Sequence, residues 1–198
     1  MNISKIAVVG SSCEGYKIAG KIFGNLNLGK ESSVILIPHI FPGAIYSYLK
    51  RHGKNVYPIL VGQVIEPGNI YIGMEDPVNI PLENNNIGIK NRLKIEKIKG
   101  DYKLFFGERT GEASVDKAFY EVAKVFKEKG IGVILYGAGD DGVIGMRKIK
   151  EVGGKTFVQQ VDMIKDKGSM PWHTIKNCKP DYVLSPDKLK KKLEEMLG

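Results

Sequence analysis

The chain repeats one pattern at three places: a short apolar run ends in a turn rich in small or polar residues, and a helix-period stretch follows. Ile6-Ala7-Val8-Val9 leads into Gly10-Ser11-Ser12-Cys13-Glu14-Gly15. Val34-Ile35-Leu36-Ile37 leads into Pro38-His39, and Val133-Ile134-Leu135-Tyr136 into Gly137-Ala138-Gly139-Asp140-Asp141-Gly142. Strands that alternate with helices in this way form a parallel sheet covered on both faces. The pattern predicts strands over 5–9, 33–37, 132–135, 155–159 and 181–184, and helices over 16–25, 44–51, 115–129, 143–151 and from Pro186 onward, with proline in the first turn. The middle of the chain reads differently. Turns at Pro67-Gly68-Asn69 and Asn84-Asn85-Asn86 separate Ile70-Tyr71-Ile72, Val78-Asn79-Ile80 and Arg92-Leu93-Lys94-Ile95, which read as short hairpin strands. The expected fold class is α/β: a doubly wound, mostly parallel sheet with helices on both faces and an inserted antiparallel β-hairpin region.

Composition narrows the function. With 42% apolar and 26% charged residues, 198 residues bury one sizeable core, so residues 1–198 are read as a single domain. The net charge of +8 is scattered. Its one cluster, Lys188-Leu189-Lys190-Lys191-Lys192, alternates with leucine and precedes Glu194-Glu195, the pattern of a solvated helix face rather than of a nucleic-acid patch. The positive field favours an acidic partner. The apolar runs are strand-sized, which argues against membrane insertion. Cys13 and Cys178 show no CxxC spacing and read as free thiols in a reducing, cytoplasmic setting. His39, His52 and His173 lack the paired spacings of zinc sites, so neither a metal nor a cofactor is expected.

The first glycine loop admits three readings. A phosphate-binding loop needs GxxxxGK followed by Ser or Thr, but Gly15 is followed by Tyr16-Lys17-Ile18. The dinucleotide pattern GxGxxG fails because Ser12 stands where the second glycine must let the backbone approach a pyrophosphate. The third reading is a serine nucleophile on a tight strand-to-helix turn, where the next backbone N–H, at a helix N-terminus, can receive an oxyanion. Ser11 or Ser12 as a plain helix cap competes with it, as does a capping role for Asp140-Asp141-Gly142. The coincidence of three strand ends favours chemistry. Ser12 needs a base, which His39 supplies from a rigid strand end, and the base needs a carboxylate, which Asp140 or Asp141 supplies.

The order Ser, His, Asp differs from that of α/β-hydrolases, chymotrypsin and subtilisin. The three loops resemble those of the CheB-type chemotaxis protein-glutamate methylesterases, which read close to G-A-S-T-G-G, Q-H-M-P-P-G and T-G-M-G-N/D-D-G. Here they are Gly10-Ser11-Ser12-Cys13-Glu14-Gly15, Pro38-His39-Ile40-Phe41-Pro42-Gly43 and Tyr136-Gly137-Ala138-Gly139-Asp140-Asp141-Gly142. Further matches run through Glu66-Pro67-Gly68-Asn69-Ile70-Tyr71-Ile72, Ser114-Val115-Asp116, Gly153-Gly154-Lys155-Thr156 and Ser169-Met170-Pro171. The resemblance implies Ser12 as nucleophile, His39 as general base and then acid, and Asp141 as the group orienting His39. Asp140 falls where the family tolerates asparagine. The implied oxyanion donors are the backbone N–H groups of Cys13 and Ala138.

The implied substrate is a glutamate γ-methyl ester on the cytoplasmic helices of a methylated chemoreceptor, or another acidic protein, with glutamine deamidation as a related reaction. Relatives of this type usually carry an N-terminal receiver domain. The expectation here is a catalytic domain without one, controlled by a separate regulatory partner. The chain departs from the family pattern at Glu14, where a carboxylate either opposes negative charge developing beside the nucleophile or points to solvent. It also departs at Thr110-Gly111-Glu112-Ala113, which lacks the usual Arg-Pro, and at Asp76-Pro77. Competing readings are a catalytically silent binding module, Cys13 as an alternative nucleophile, His173 as an alternative base, and a nucleotide site over 10–17.

Overall fold

The computed structural model describes residues 3–60, 62–73, 91–109 and 114–198. Seven parallel strands form the main sheet: β1 (Lys5–Ser11), β2 (Ser32–Pro38), β3 (Val56–Pro58), β5 (Ile70–Ile72), β8 (Gly130–Ile134), β9 (Lys155–Gln159) and β10 (Tyr182–Leu184), in the order β10-β9-β8-β1-β2-β5-β3. A second, antiparallel sheet holds β4 (Gln63–Val64), β6 (Asn91–Ile98) and β7 (Asp101–Arg109) in the order β4-β7-β6. The helices are α1 (Gly15–Gly24), α2 (Pro42–Arg51), α3 (Ser114–Phe126), α4 (Val143–Glu151), α5 (Met170–Cys178) and α6 (Pro186–Leu197). This is the expected doubly wound α/β architecture with its antiparallel insertion.

Period-two alternation along the buried strands sorts the helices onto the two faces. On β1, Ile6 and Val8 join a core with Val115, Phe119 and Val122 of α3, Met146 and Ile149 of α4, and Met170 of α5. Ala7 and Val9 face the other way, toward Ile22 and Phe23 of α1, Ile45 and Leu49 of α2, and Leu189 and Leu193 of α6. The lysines of α6 lie beside these buried leucines on its outer face, as the sequence pattern indicated. Helix α3 has a second duty: Leu93, Ile95 and Leu104 of the small sheet share its core, and the buried Glu121 accepts the Ile95 N–H at 3.2 Å.

One expectation needs correcting. Ile70-Tyr71-Ile72 is not a hairpin strand; it is β5, lying between β2 and β3 and parallel to both. All three of its residues are buried, the mark of a parallel-sheet strand covered on both faces. The turn at Pro67-Gly68-Asn69 therefore leads into the main sheet. Arg92-Leu93-Lys94-Ile95 does lie in a hairpin, within β6, whose partner β7 follows a two-residue turn at Lys99 (φ 53°) and Gly100 (φ 95°). Both φ values are positive, as the turn that matches strand twist requires. Val78-Asn79-Ile80, Asn84-Asn85-Asn86, Asp76-Pro77 and Thr110-Gly111-Glu112-Ala113 lie outside the described residues.

The winding creates the place for a site. From β1 the chain moves outward through β2 on one side, while β8 returns on the other, so the strand order reverses between β1 and β8. A crevice opens beyond the carboxyl ends of strands at such a reversal. The core behind it is tightly filled. Phe119 is fully buried, and Phe119→Ala is expected to cost about 3–5 kcal/mol, read as a lowered denaturant midpoint with an unchanged slope.

Candidate active site

Register brings the three loops together. Ser11 pairs with Pro38 across β1 and β2, and Gly10 pairs with Ile134 across β1 and β8. Ser12 and His39 thus each lie one residue past neighbouring strand ends, and adjacent strands run only about 4.8 Å apart. The His39 N–H donates to the Ser11 carbonyl at 2.8 Å, which extends the ladder to the histidine itself. On the other side the Ser12 N–H donates to the Tyr136 carbonyl at 3.1 Å.

The β8 turn approaches still more closely. A Cβ on Gly137 would lie 2.5 Å from the Ser12 Cβ and 2.8 Å from the Met170 sulfur, so no side chain fits there. Met170, at the start of α5, donates its N–H to the Gly137 carbonyl at 2.7 Å, and Ala138 bridges to Ser169. Tyr136 donates its hydroxyl to Asp166 at 3.0 Å.

His39 and Asp141 meet directly, with Nε2 and Oδ2 2.6 Å apart. The Asp141 carboxylate also takes the first amide groups of α3: Val115 N–H donates to Oδ2 at 2.9 Å and Asp116 N–H to Oδ1 at 2.8 Å. Burial pushes this carboxyl's pKa up, but the His39 hydrogen bond and the two backbone donors outweigh it and hold the group below its ordinary value. Asp141 is therefore ionised at neutral pH and can only accept. His39 Nε2 must carry the proton, which leaves Nδ1 as the basic nitrogen.

The remaining residues separate clearly. Asp140 is exposed, and among the described residues the carboxylate that bonds His39 is that of Asp141. No serine or aspartate side chain caps the helix that follows it in either loop. The N-cap of α1 is Glu14, without a side-chain cap bond, and that of α4 is Gly142, while Asp141 caps α3 instead. The backbone N–H groups of Cys13 and Ala138 have no acceptor among the described residues. Nor does any hydrogen bond there join Ser12 Oγ to His39, so of the two contacts a triad requires this structure makes the histidine–aspartate one. Serine–base contacts are commonly loose before substrate binds.

His173 lies in α5 with its ring edge-on to Trp172, and His52 stacks on Tyr48 at the surface. Both cysteines are free thiols; Cys178 is buried and donates to the Val143 carbonyl. Glu14 is exposed and pairs with Lys17 at 3.1 Å, so its charge at the rim is partly answered. Sequence reasoning assigned no role to Asp116, whose own carboxylate accepts the Gly145 N–H at 2.7 Å at the start of α4. Its signals were its place in the Ser114-Val115-Asp116 match and as the second residue of a predicted helix.

A doubly wound sheet with a serine, a histidine–carboxylate pair and unpaired amide donors at its reversal point defines a class of strand-end α/β site. The particular family follows from comparison: residues 7–193 match the CheB methylesterase model, and the chain belongs to that family. It is 27% identical over 203 residues to a Thermotoga maritima protein-glutamate methylesterase/protein-glutamine glutaminase, covering 98% of this chain and 54% of that protein. A Methanosarcina mazei protein of the same description is 24% identical over 192 residues, covering 95% of this chain and 50% of the relative. The chain thus spans about half the length of the curated relatives it matches. The crystal structure of the Thermotoga maritima CheB methylesterase catalytic domain superposes with a TM-score of 0.81 at 26% identity, covering 98% of both chains. Among the described residues no helix is long and apolar enough to cross a membrane.

Two measurements test these geometries. Because Asp141 is held below its ordinary value when folded, its contribution to stability is present above about pH 4 and lost as pH falls through the folded value. Asp141→Asn should be destabilised by about 1–3 kcal/mol at pH 7, with the gap to wild type closing in acid, as read from denaturation series between neutral and acid pH. Glu14 has φ 63°, a left-handed conformation costing a non-glycine residue about 1–2 kcal/mol. Glu14→Gly should therefore raise the thermal midpoint.

Proposed function

We propose that this chain is the catalytic unit of a serine hydrolase that cleaves glutamate γ-methyl esters on protein helices. Ser12 Oγ attacks the ester carbonyl while His39 Nδ1 takes its proton, and Asp141 stays ionised to hold the resulting imidazolium. The N–H groups of Cys13 and Ala138 receive the oxyanion. Collapse of the tetrahedral adduct expels methanol, protonated by His39, and leaves a γ-glutamyl ester on Ser12. Water, activated by His39, then releases the glutamate carboxylate. A glutamine side chain entering the same path would lose ammonia instead. The chemistry needs no cofactor.

The observation that carries this reading is the 2.6 Å His39–Asp141 contact at the strand end beside Ser12. Two amide donors without acceptors and membership of the CheB methylesterase family add support. The net charge of +8 suits an acidic partner, and we take the substrate to be the methylated cytoplasmic helices of a chemoreceptor.

The absence of a Ser12–His39 hydrogen bond among the described residues favours a second reading, a silent module that holds a signalling partner in the same cleft. A serine-directed phosphonate separates the two: an enzyme is labelled at Ser12 in a His39-dependent way, and a silent module is not. Ser12→Ala is expected to lower methanol release from a methylated receptor on the order of 10⁴–10⁶-fold, and full retention of activity would refute the assignment.

A further inference from the structure

We propose that Asp116 is a positioning residue that aims Asp141 at His39; the role rests on the catalytic reading above. Asp141 sits in a turn bounded by Gly139 (φ 92°) and Gly142 (φ 103°), left-handed glycines that impose little direction of their own. Its side chain is fixed from outside, by the Val115 and Asp116 N–H groups of α3. Asp116 returns the bond. Its Oδ1 accepts the Gly145 N–H at 2.7 Å, and the N–H groups of Gly142 and Ile144 also support its carboxylate.

Helix α3 and the turn leading into α4 thus exchange carboxylates, Asp141 capping α3 and Asp116 capping α4, where partial positive charge favours an anion. The closed ring of bonds ties the Asp141 turn to the helix that receives its side chain. If the Asp116 carboxylate is removed, the start of α4 loses its acceptor and the turn is left between two permissive glycines.

Burial raises the pKa of the Asp116 carboxyl and the Asp141 charge raises it further, against the pull of the Gly145 N–H. A neutral acceptor would satisfy the same N–H without placing a second anion behind Asp141. The groups facing Asp116 are Asp141 from the β8 turn, the Cys178 thiol from α5 and the amide groups of α4; Asp141 alone bonds His39. Asp116 thus stands behind Asp141 and reaches His39 only through it.

The test is steady-state methanol release by the full chain carrying Asp116→Ala or Asp116→Asn, with Ser12→Ala alongside. Asp116→Ala should lower kcat by about 10–100-fold, with KM within about twofold because the residue does not touch substrate. Asp116→Asn keeps an acceptor for the Gly145 N–H and should recover most of that loss. A folded Asp116→Ala enzyme with unchanged kcat overturns the proposal, as does an Asp116→Asn enzyme no more active than Asp116→Ala. If Asp116→Ala does not fold, Asp116→Glu, whose longer side chain displaces the carboxylate from the Gly145 N–H, takes its place under the same criterion. Activity surviving in Ser12→Ala overturns the catalytic reading and this role with it, whereas an inert Ser12→Ala beside an Asp116→Ala enzyme of unchanged kcat overturns the role of Asp116 alone.

Discussion

The Asp141 carboxylate is the joint on which the site depends, because one group answers two demands. It binds the His39 ring at 2.6 Å, and it caps α3 through the Val115 and Asp116 amide groups. A carboxylate this little exposed, with 11% of its side chain accessible, is costly unless its oxygens are filled. Here three donors fill them, and the end of a helix adds its own positive potential. The same bonds that make the charge tolerable fix where it points. The fold and the proposed chemistry therefore cannot be separated at this residue.

What brings the partners within reach is the parallel register of β2, β1 and β8. Parallel strands end on the same side, so the residues following each of them crowd into one crevice. The pairs Ser11–Pro38 and Gly10–Ile134 set the three ends nearly level. A slip of one residue would turn Ile6 and Val8 toward α1 and α2 instead of α3 and α4, so burial on both faces protects the alignment. Precision at the site is thus enforced far from it, by core side chains that take no part in chemistry.

Much of this was legible in the sequence because the strongest signals are local. The boundaries of α4 and β9 follow from apolar period alone, and β1 and β2 are missed only by the one or two residues that carry them to the crevice. Ile70-Tyr71-Ile72 was misplaced because a three-residue run is too short for its period to be counted, while the preceding turn looks the same before a hairpin as before a buried parallel strand. At the site, the loops pointed to Ser12, His39 and Asp141, of which the structure joins His39 and Asp141 by a hydrogen bond. Asp116 did not stand out, since an acidic residue in the first turn of a helix is ordinary. Its significance comes from a neighbour in another helix, at Gly145, and no spacing along the chain reports that pairing.

The strained backbone of the crevice follows the same logic. Glu14 and Phe41, each two residues beyond Ser12 and His39, both have positive φ, at 63° and 54°. In both loops the chain must leave a strand and enter a helix within three or four residues while keeping the half-buried residue just past the strand end open to the crevice. A relaxed turn would carry Ser12 or His39 away from its neighbour. The stiffness of the sheet and the packing of α1 and α2 against it hold these conformations in place. In each of these two loops one residue carries the positive φ, and the helices that follow are anchored by Ile22, Phe23, Ile45 and Leu49 in the core.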